Sequence, residues 1–332
     1  MSYWFWSLLG RESSCAEGQE ININGADFVM DGGILRSSAL VSAAQQQTSD
    51  VFGFKWHQRD SFESEASRAM MREWATNRYG NVNKWIDANG APIILDAGCG
   101  AGYTAREYLE AVLGNIRYVG ADISAAVNVA KERMAEVAVD AAFIQCDVTK
   151  LPFRNGSVDV VFSEGVLHHT DSTENAIKSL APLLKTGGLF MFYVYKKKGP
   201  VREFTDDYIR RLMQEIPPQE GWEKMLPLSK LGKALGELDI EVEIEDPIDL
   251  LEIPAGRINI QRLFYWHVFK AFYRPEYSVE EMNHINFDWY APRNAFRQTP
   301  DQVSAWCAEA GLVIEHEKIE DAGITIVARR AG

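Results

Sequence analysis

Leu95-Asp96-Ala97-Gly98-Cys99-Gly100-Ala101-Gly102 follows the short apolar run Ile93-Ile94-Leu95 and precedes a helical pattern from Tyr103 to Leu113. Strand, glycine-rich turn and helix in succession form the opening unit of an open α/β sheet, where ligands bind beyond the carboxyl ends of the strands. Glycines at such a turn let the backbone approach a nucleoside closely. A dinucleotide fingerprint, G-x-G-x-x-G, would need a third glycine where Tyr103 stands. The turn instead reads G-x-G-x-G behind an acid, Asp96. That arrangement suits a ligand with an ammonium group better than a pyrophosphate.

Outward from this turn the chain alternates strands and helices. Arg117 to Ala121, Ala142 to Cys146, Val158 to Phe162 and Leu189 to Tyr195 read as strands two to five. Ser124 is placed to cap a helix ending near Ala138. Asp171 with Glu174 forms a capping-box start for a helix that ends before Gly187-Gly188. Short buried strands between helices predict a parallel sheet covered on both faces. Two further acids stand at strand ends. Asp122 ends strand two and can accept both ribose hydroxyls. Asp147, just past Cys146 at the end of strand three, can accept an adenine amino group. Acids often cap helices after strands, but three in this order are hard to explain as caps.

Taken together, the residues resemble class I S-adenosylmethionine (SAM)-dependent methyltransferases of the broad type 11 group. The matching stretches are LDAGCGAG at 95–102, GADIS at 120–124, QCDVTKLPF at 145–153, SVDVVFSEGVLHHT at 157–170 and LLKTGG at 183–188. The resemblance implies a doubly wound, Rossmann-like sheet of seven strands, with an N-terminal lid and a large insertion after strand five. It implies SAM as cofactor. Asp96, Gly98, Gly100 and Gly102 would hold the methionine end. Asp122, with Ile123 beside it, would bind the ribose, and Asp147 with Val148 the adenine. Ser163 and Glu164 would lie near the sulfonium. Phe54, Trp56 and Arg59 look like the lid. Arg59 reads either as partner of the SAM carboxylate or as an ordinary surface ion pair. Phe28 to Trp56 resembles the degenerate zinc-ribbon leader of some relatives. Its ligand cysteines are absent, so no metal is expected.

The expected organisation is an N-terminal extension and lid (1–85), a SAM-binding core (86–195), an inserted cap over the acceptor pocket (196–298), and a final helix with two strands (299–332). In the first part, a β-like stretch spans Phe28 to Leu35, a polar run Ser42 to Asp50, and a helix Glu65 to Tyr79, which Gly80 ends. In the last, Thr299-Pro300-Asp301-Gln302 is a capping box with Pro at the first helical position, and Gly311 stops the helix. Strands near Val313 to Ile319 and Ile324 to Ala328 complete the sheet.

Bulk properties bound the partners. The chain has 332 residues, 46% of them hydrophobic, and a formal net charge of −13. That charge argues against nucleic acid, because phosphate binding needs a basic footprint. Four cysteines, none in a C-x-x-C pair, fit a reducing compartment, and a cytoplasmic protein is expected. Tyr3 to Leu9 is apolar but shorter than a membrane span. It reads as a core or dimer contact, or as an interfacial anchor, so no stable membrane insertion is expected and a homodimer is possible.

Methyl transfer needs alignment of nucleophile, methyl carbon and sulfur, and exclusion of water. A base is needed only for a protonated nucleophile. Candidates are His168, His169, Tyr193, Tyr195 and, in the insertion, His284, Asp288, Tyr290 and Arg293. The aromatics Phe264, Tyr265, Trp266, Phe269, Phe272 and Tyr273 read as a buried helix face or an oligomer contact. The leading expectation is in-line transfer to a small-molecule acceptor. The alternative is SAM as sole substrate, cyclising to an azetidine carboxylate with release of methylthioadenosine. That chemistry needs a closed aromatic pocket with no room for an acceptor.

Overall fold

A computed structural model describes residues 2–137 and 139–332. The strands are β1 (Glu20–Ile23), β2 (Ala26–Asp31), β3 (Ile34–Ser37), β4 (Ile93–Ala97), β5 (Arg117–Asp122), β6 (Asp140–Gln145), β7 (Val158–Glu164), β8 (Leu184–Tyr195), β9 (Glu241–Ile244), β10 (Gly256–Asn259), β11 (Leu312–Ile319) and β12 (Gly323–Arg330). All but β9 and β10 lie in one mixed sheet, ordered β1-β2-β3-β6-β5-β4-β7-β8-β12-β11. Strands β6, β5, β4, β7 and β8 are mutually parallel, and β12 and β11 close the far edge antiparallel. The parallel core starts at β4, winds outward to β6, then reverses through β7. The switch point between β4 and β7 therefore opens the crevice in which α/β sheets bind ligands.

The sheet has ten strands rather than the seven expected. The additional three, β1 to β3, form an antiparallel meander whose last strand pairs parallel with β6, Leu35 opposite Ile144. The stretch read as one β unit is two strands. Gly32 and Gly33, at φ of +58° and +66°, make the turn between them. Ile21, Ile23, Phe28, Met30 and Leu35 point into the core at the period of two that a half-buried strand requires.

Trp4, Phe5, Trp6, Leu8 and Leu9 pack into the same core, with Phe153 edge-on to Phe5. Ser42 caps a helix, Ala43–His57, by accepting from the Gln45 N–H. This helix turns Gln45, Thr48, Ser49 and Lys55 inward, so it lacks an apolar stripe. Helix Glu65–Tyr79 ends at Gly80.

Two caps differ from expectation. Ser172, not Asp171, caps helix Thr173–Leu180. Helix Ala126–Ala135 starts behind Ala125, while Ser124 donates its hydroxyl to Asp122. Ala138, expected near the end of this helix, lies outside the described residues. The capping box at Thr299 and Gln302 forms as read, and opens helix Pro300–Glu309.

Residues 196–298 build helices Pro200–Met213, Pro218–Glu237, Ile260–His267 and Val279–Tyr290, with β9 and β10 as a two-stranded ribbon. Ser278 and Glu281 cap helix Val279–Tyr290 reciprocally. It packs on helix Pro218–Glu237, and its Phe287, Trp289 and Tyr290 join Tyr193 and Tyr195 of β8 in one cluster. Helix Pro218–Glu237 also packs closely on the segment before Val279, where a Cβ on Gly236 would lie 2.1 Å from the Tyr273 ring. Among the described residues, no helix is long and apolar enough to cross a membrane.

Candidate functional site

A cavity of about 1080 Å³ opens at the carboxyl ends of β4, β5, β7 and β8 and runs under residues 260–290. Its floor is the glycine turn. Gly98 has a φ of +88°, and a Cβ there would lie 2.2 Å from the Val166 side chain. A Cβ on Gly100 would press on Trp56 at 2.8 Å. Any larger residue at either position would fill or distort the cradle.

Three acids face this end. Asp96 is buried and accepts a hydrogen bond from the Tyr118 hydroxyl at 2.5 Å. Burial raises its carboxyl to about 7, against the Tyr118 bond, with the nearby Asp122 and Glu164 charges adding to the rise. Asp122 is also raised by burial, but less freely: it accepts from the Gly100 N–H at 2.8 Å, the Ser124 N–H at 2.8 Å and the Ser124 hydroxyl at 2.6 Å. Asp147 caps a short turn by accepting from Thr149 at 2.9 Å. The buried Asp96 and Asp122 and the partly exposed Asp147, beside a backbone cradle, fit a ligand carrying an ammonium, a sulfonium and a ribose. Ile123, Val148 and Glu164 line the same wall, and Glu164 is held by Arg78 and by the Tyr79 hydroxyl at 2.5 Å.

The structure moves four expected contacts off the wall. Arg59 lies at the surface, 44% exposed, paired with Glu63 at 2.8 Å. Ser163 is buried and donates to the Ala97 carbonyl at 2.7 Å, so it ties β7 to β4. Gly102 packs on Ala130 behind the turn. Phe54 packs on Trp222 and Phe287 within the fold, whereas Trp56 does reach the cavity.

The opposite wall carries different chemistry. His169 lines it. Its Nδ1 lies 2.6 Å from the Asn294 carbonyl, which can only accept, so Nδ1 carries the proton and Nε2 is left with a lone pair. Burial lowers its pKa to about 4, so the ring is neutral at pH 7. His168 is fully buried, with its ring 3.7 Å from that of Tyr195, and packs beneath the wall. Tyr195 donates to Asp288 at 2.8 Å, and Lys55 pairs with the same carboxylate. Asp288 is itself driven far below the carboxylate range, because Lys55 and neighbouring cations outweigh its burial. Tyr193 lines the cavity with the Arg78 guanidinium 3.7 Å over its ring.

Two insertion candidates lie elsewhere. Tyr290 is fully buried, donates to Asp206 at 2.7 Å and accepts from the Lys270 N–H at 2.7 Å, which makes it a strut between segments. Arg293 pairs with Glu215 at 3.1 Å on the surface. His284 faces the cavity against Trp56 and Phe62, neutral by burial and held at 2.8 Å by Ser61.

Sequence reasoning missed the cavity's cations and several of its aromatics. Lys55, Lys198, Arg202 and Lys270 line it, as do Tyr265, Trp266, Phe272 and Tyr273. The aromatics were expected to form a buried face or an oligomer contact, and these four help to wall the cavity instead. Their density was the available signal. Nothing local marks Lys270 as buried.

The methyltransferase-domain family matches residues 95–192. A probable tRNA methyltransferase 9B of Bos taurus is 32% identical over 155 residues, 45% of this chain and 31% of that protein. The mouse tRNA (carboxymethyluridine(34)-5-O)-methyltransferase ALKBH8 is 31% identical over 122 residues, 36% of this chain and 17% of that protein. The chain thus spans less than a third of the length of these relatives. A Burkholderia thailandensis 1,6-didemethyltoxoflavin-N1-methyltransferase, solved with 1,6-didemethyltoxoflavin and S-adenosylhomocysteine, is 14% identical over 96% of this chain and all of that one, with a TM-score of 0.44. The tRNA methyltransferases among the relatives overturn the exclusion of nucleic acid drawn from net charge. A charge of −13 averages over the whole surface, whereas a phosphate footprint is local.

Proposed function

Because residues 95–192 are a methyltransferase domain of the class I, SAM-dependent type, we propose that the chain transfers the SAM methyl group to a small-molecule acceptor held under residues 260–290. The observation that carries this reading is one continuous cavity. The glycine turn and three strand-end acids face its cofactor end, and aromatic and cationic side chains wall the rest. Its volume exceeds the roughly 300–1,000 Å³ of a site for one drug-sized ligand. SAM supplies an electrophilic methyl carbon on a sulfonium.

The chain's own residues hold, orient and dehydrate. Asp96 faces the ammonium and Asp122 the ribose hydroxyls, while Trp56, Phe62 and Tyr103 shield that end from water. Tyr195 is held by Asp288 and orients the acceptor. His169, with its free Nε2 lone pair, accepts a proton from a protonated nucleophile.

A second reading has a nucleoside of tRNA as acceptor, and the names of the relatives favour it. The family match ends at residue 192, before Tyr195, Lys270 and Asp288, so the acceptor wall, His169 apart, lies outside the shared region. Cyclisation of SAM itself draws support neither from the comparisons nor from the cavity's size.

The test is S-adenosylhomocysteine release from SAM with two acceptor pools, a protein-free extract below about 1 kDa (the range of drug-sized ligands) and total tRNA. Release with the extract alone supports the first reading. Release with tRNA alone overturns it in favour of the second.

A further inference from the structure

Four cations gather around one indole. The Trp289 ring centroid lies 4.7 Å from Arg210, 4.8 Å from the Lys270 ammonium, 5.4 Å from Arg202 and 5.6 Å from the Lys198 ammonium. Two of these charges are answered. Arg202 pairs with Asp206 at 2.8 Å, and that carboxylate also accepts from the Trp289 indole and the Tyr290 hydroxyl, each at 2.7 Å. Arg210 donates to the Trp289 carbonyl at 3.0 Å and pairs with Asp207 at 3.3 Å.

The two lysines are not answered. The Lys198 ammonium donates only to the backbone carbonyls of Asp321 and Ala322 among the described residues. The Lys270 ammonium has no hydrogen-bond acceptor and no ion-pair partner among the described residues, although the residue is only 8% exposed. The acids whose charge reaches them are committed elsewhere: Asp288 to Lys55 and Tyr195, Asp206 to Arg202, and Glu203 to Arg297. Both lysines stand on the cavity wall.

Burying cations without counter-charge is costly. Burial depresses both lysines, Lys270 to about 7 and Lys198 well below its usual range. A fixed anion between them would restore the balance. Tyr265, Trp266 and Phe272 beside them offer flat apolar surface for the body that carries it. We propose that this end of the cavity is an anion subsite, and that the methyl acceptor carries a carboxylate or phosphate which Lys198 and Lys270 bind over an aromatic wall.

The inference rests on the reading of the cavity as a cofactor site joined to an acceptor site. It is tested by calorimetry on protein saturated with S-adenosylhomocysteine, using benzoate, phenyl phosphate and the neutral isostere benzamide as separate probes. At least one anion is expected to bind about 10-fold or more tightly than benzamide, as one charge-assisted contact provides. Benzoate and phenyl phosphate tell a carboxylate site from a phosphate site. Lys270→Met removes the preference and Lys270→Arg retains it, while S-adenosylhomocysteine affinity stays unchanged in both.

Equal binding of anions and benzamide by the unmodified protein overturns the proposal, whether or not a variant folds. So does a preference that survives Lys270→Met. Loss of S-adenosylhomocysteine affinity in Lys270→Met would assign the lysine to the cofactor's own carboxylate and overturn it too. If the unmodified protein fails to bind S-adenosylhomocysteine, the cavity reading falls and the subsite with it.

Discussion

Asp96 and Asp122 end neighbouring strands yet differ in what they have to give. Asp122 spends its oxygens on Gly100 and Ser124, so it shapes the turn as well as facing the cavity. Asp122→Ala should weaken SAM binding by about 10- to 100-fold, the worth of roughly 1.5–3 kcal/mol for hydrogen bonds to a charged group. Unchanged calorimetric affinity would remove it from the ribose site. Asp96 has a single hydrogen bond, and its carboxyl is lifted from 3.8 to about 7. An acid raised on folding stabilises below its unfolded value and loses that contribution as pH climbs to its folded one, so the free protein loses stability through this group between those two values. A SAM ammonium beside Asp96 reverses the shift. Binding at pH 7 should release about half a proton. Calorimetry in buffers of different ionisation enthalpy measures this, and Asp96→Asn should abolish it. The strand-end acids were legible in sequence because a strand end fixes where a side chain points. Lys55, Lys198 and Lys270 were not, being three among 34 Lys and Arg that segments far along the chain bring to the cavity.

At the scale of elements, period decided what was readable. All seven expected strands form, because each alternates with a helix or closes an edge by its apolar run. Helix Ala43–His57 was missed, since its inward face bonds through Gln45 and Thr48 to loop backbone instead of burying an apolar stripe. The meander β1 to β3 was half-read, because a turn of two glycines divides it. Helix Val279–Tyr290 ends on a strut. Tyr290→Phe should cost about 1–3 kcal/mol, by leaving the Lys270 N–H without an acceptor, and should leave SAM affinity intact. Denaturant unfolding and calorimetry check both, and a collapse of SAM affinity would return Tyr290 to the binding site. The N-terminal helix Tyr3–Leu8 is held by burial. Trp6, 1% exposed, should cost about 3–5 kcal/mol when replaced by Ala. A loss under 1 kcal/mol would mean this segment is not part of the core.

For the whole molecule, the division of labour follows the sheet. Its switch point and strand-end acids make the floor proposed for the cofactor, which the sequence declares through glycine spacing. The facing wall comes from β8, helix Ala43–His57 and residues 260–290, which meet only in the folded chain, so its chemistry is visible only there. Net charge misled for the same reason: it sums a surface without locating anything on it. The central claim is that this cavity holds SAM as a methyl donor and leaves room for an acceptor. The most direct test is mass spectrometry of SAM incubated with the purified protein, with and without the acceptor pools. The account predicts intact SAM with protein alone, and S-adenosylhomocysteine once an acceptor is supplied. Methylthioadenosine with a four-carbon amino acid, accumulating beyond a protein-free control, would contradict it and make SAM the sole substrate.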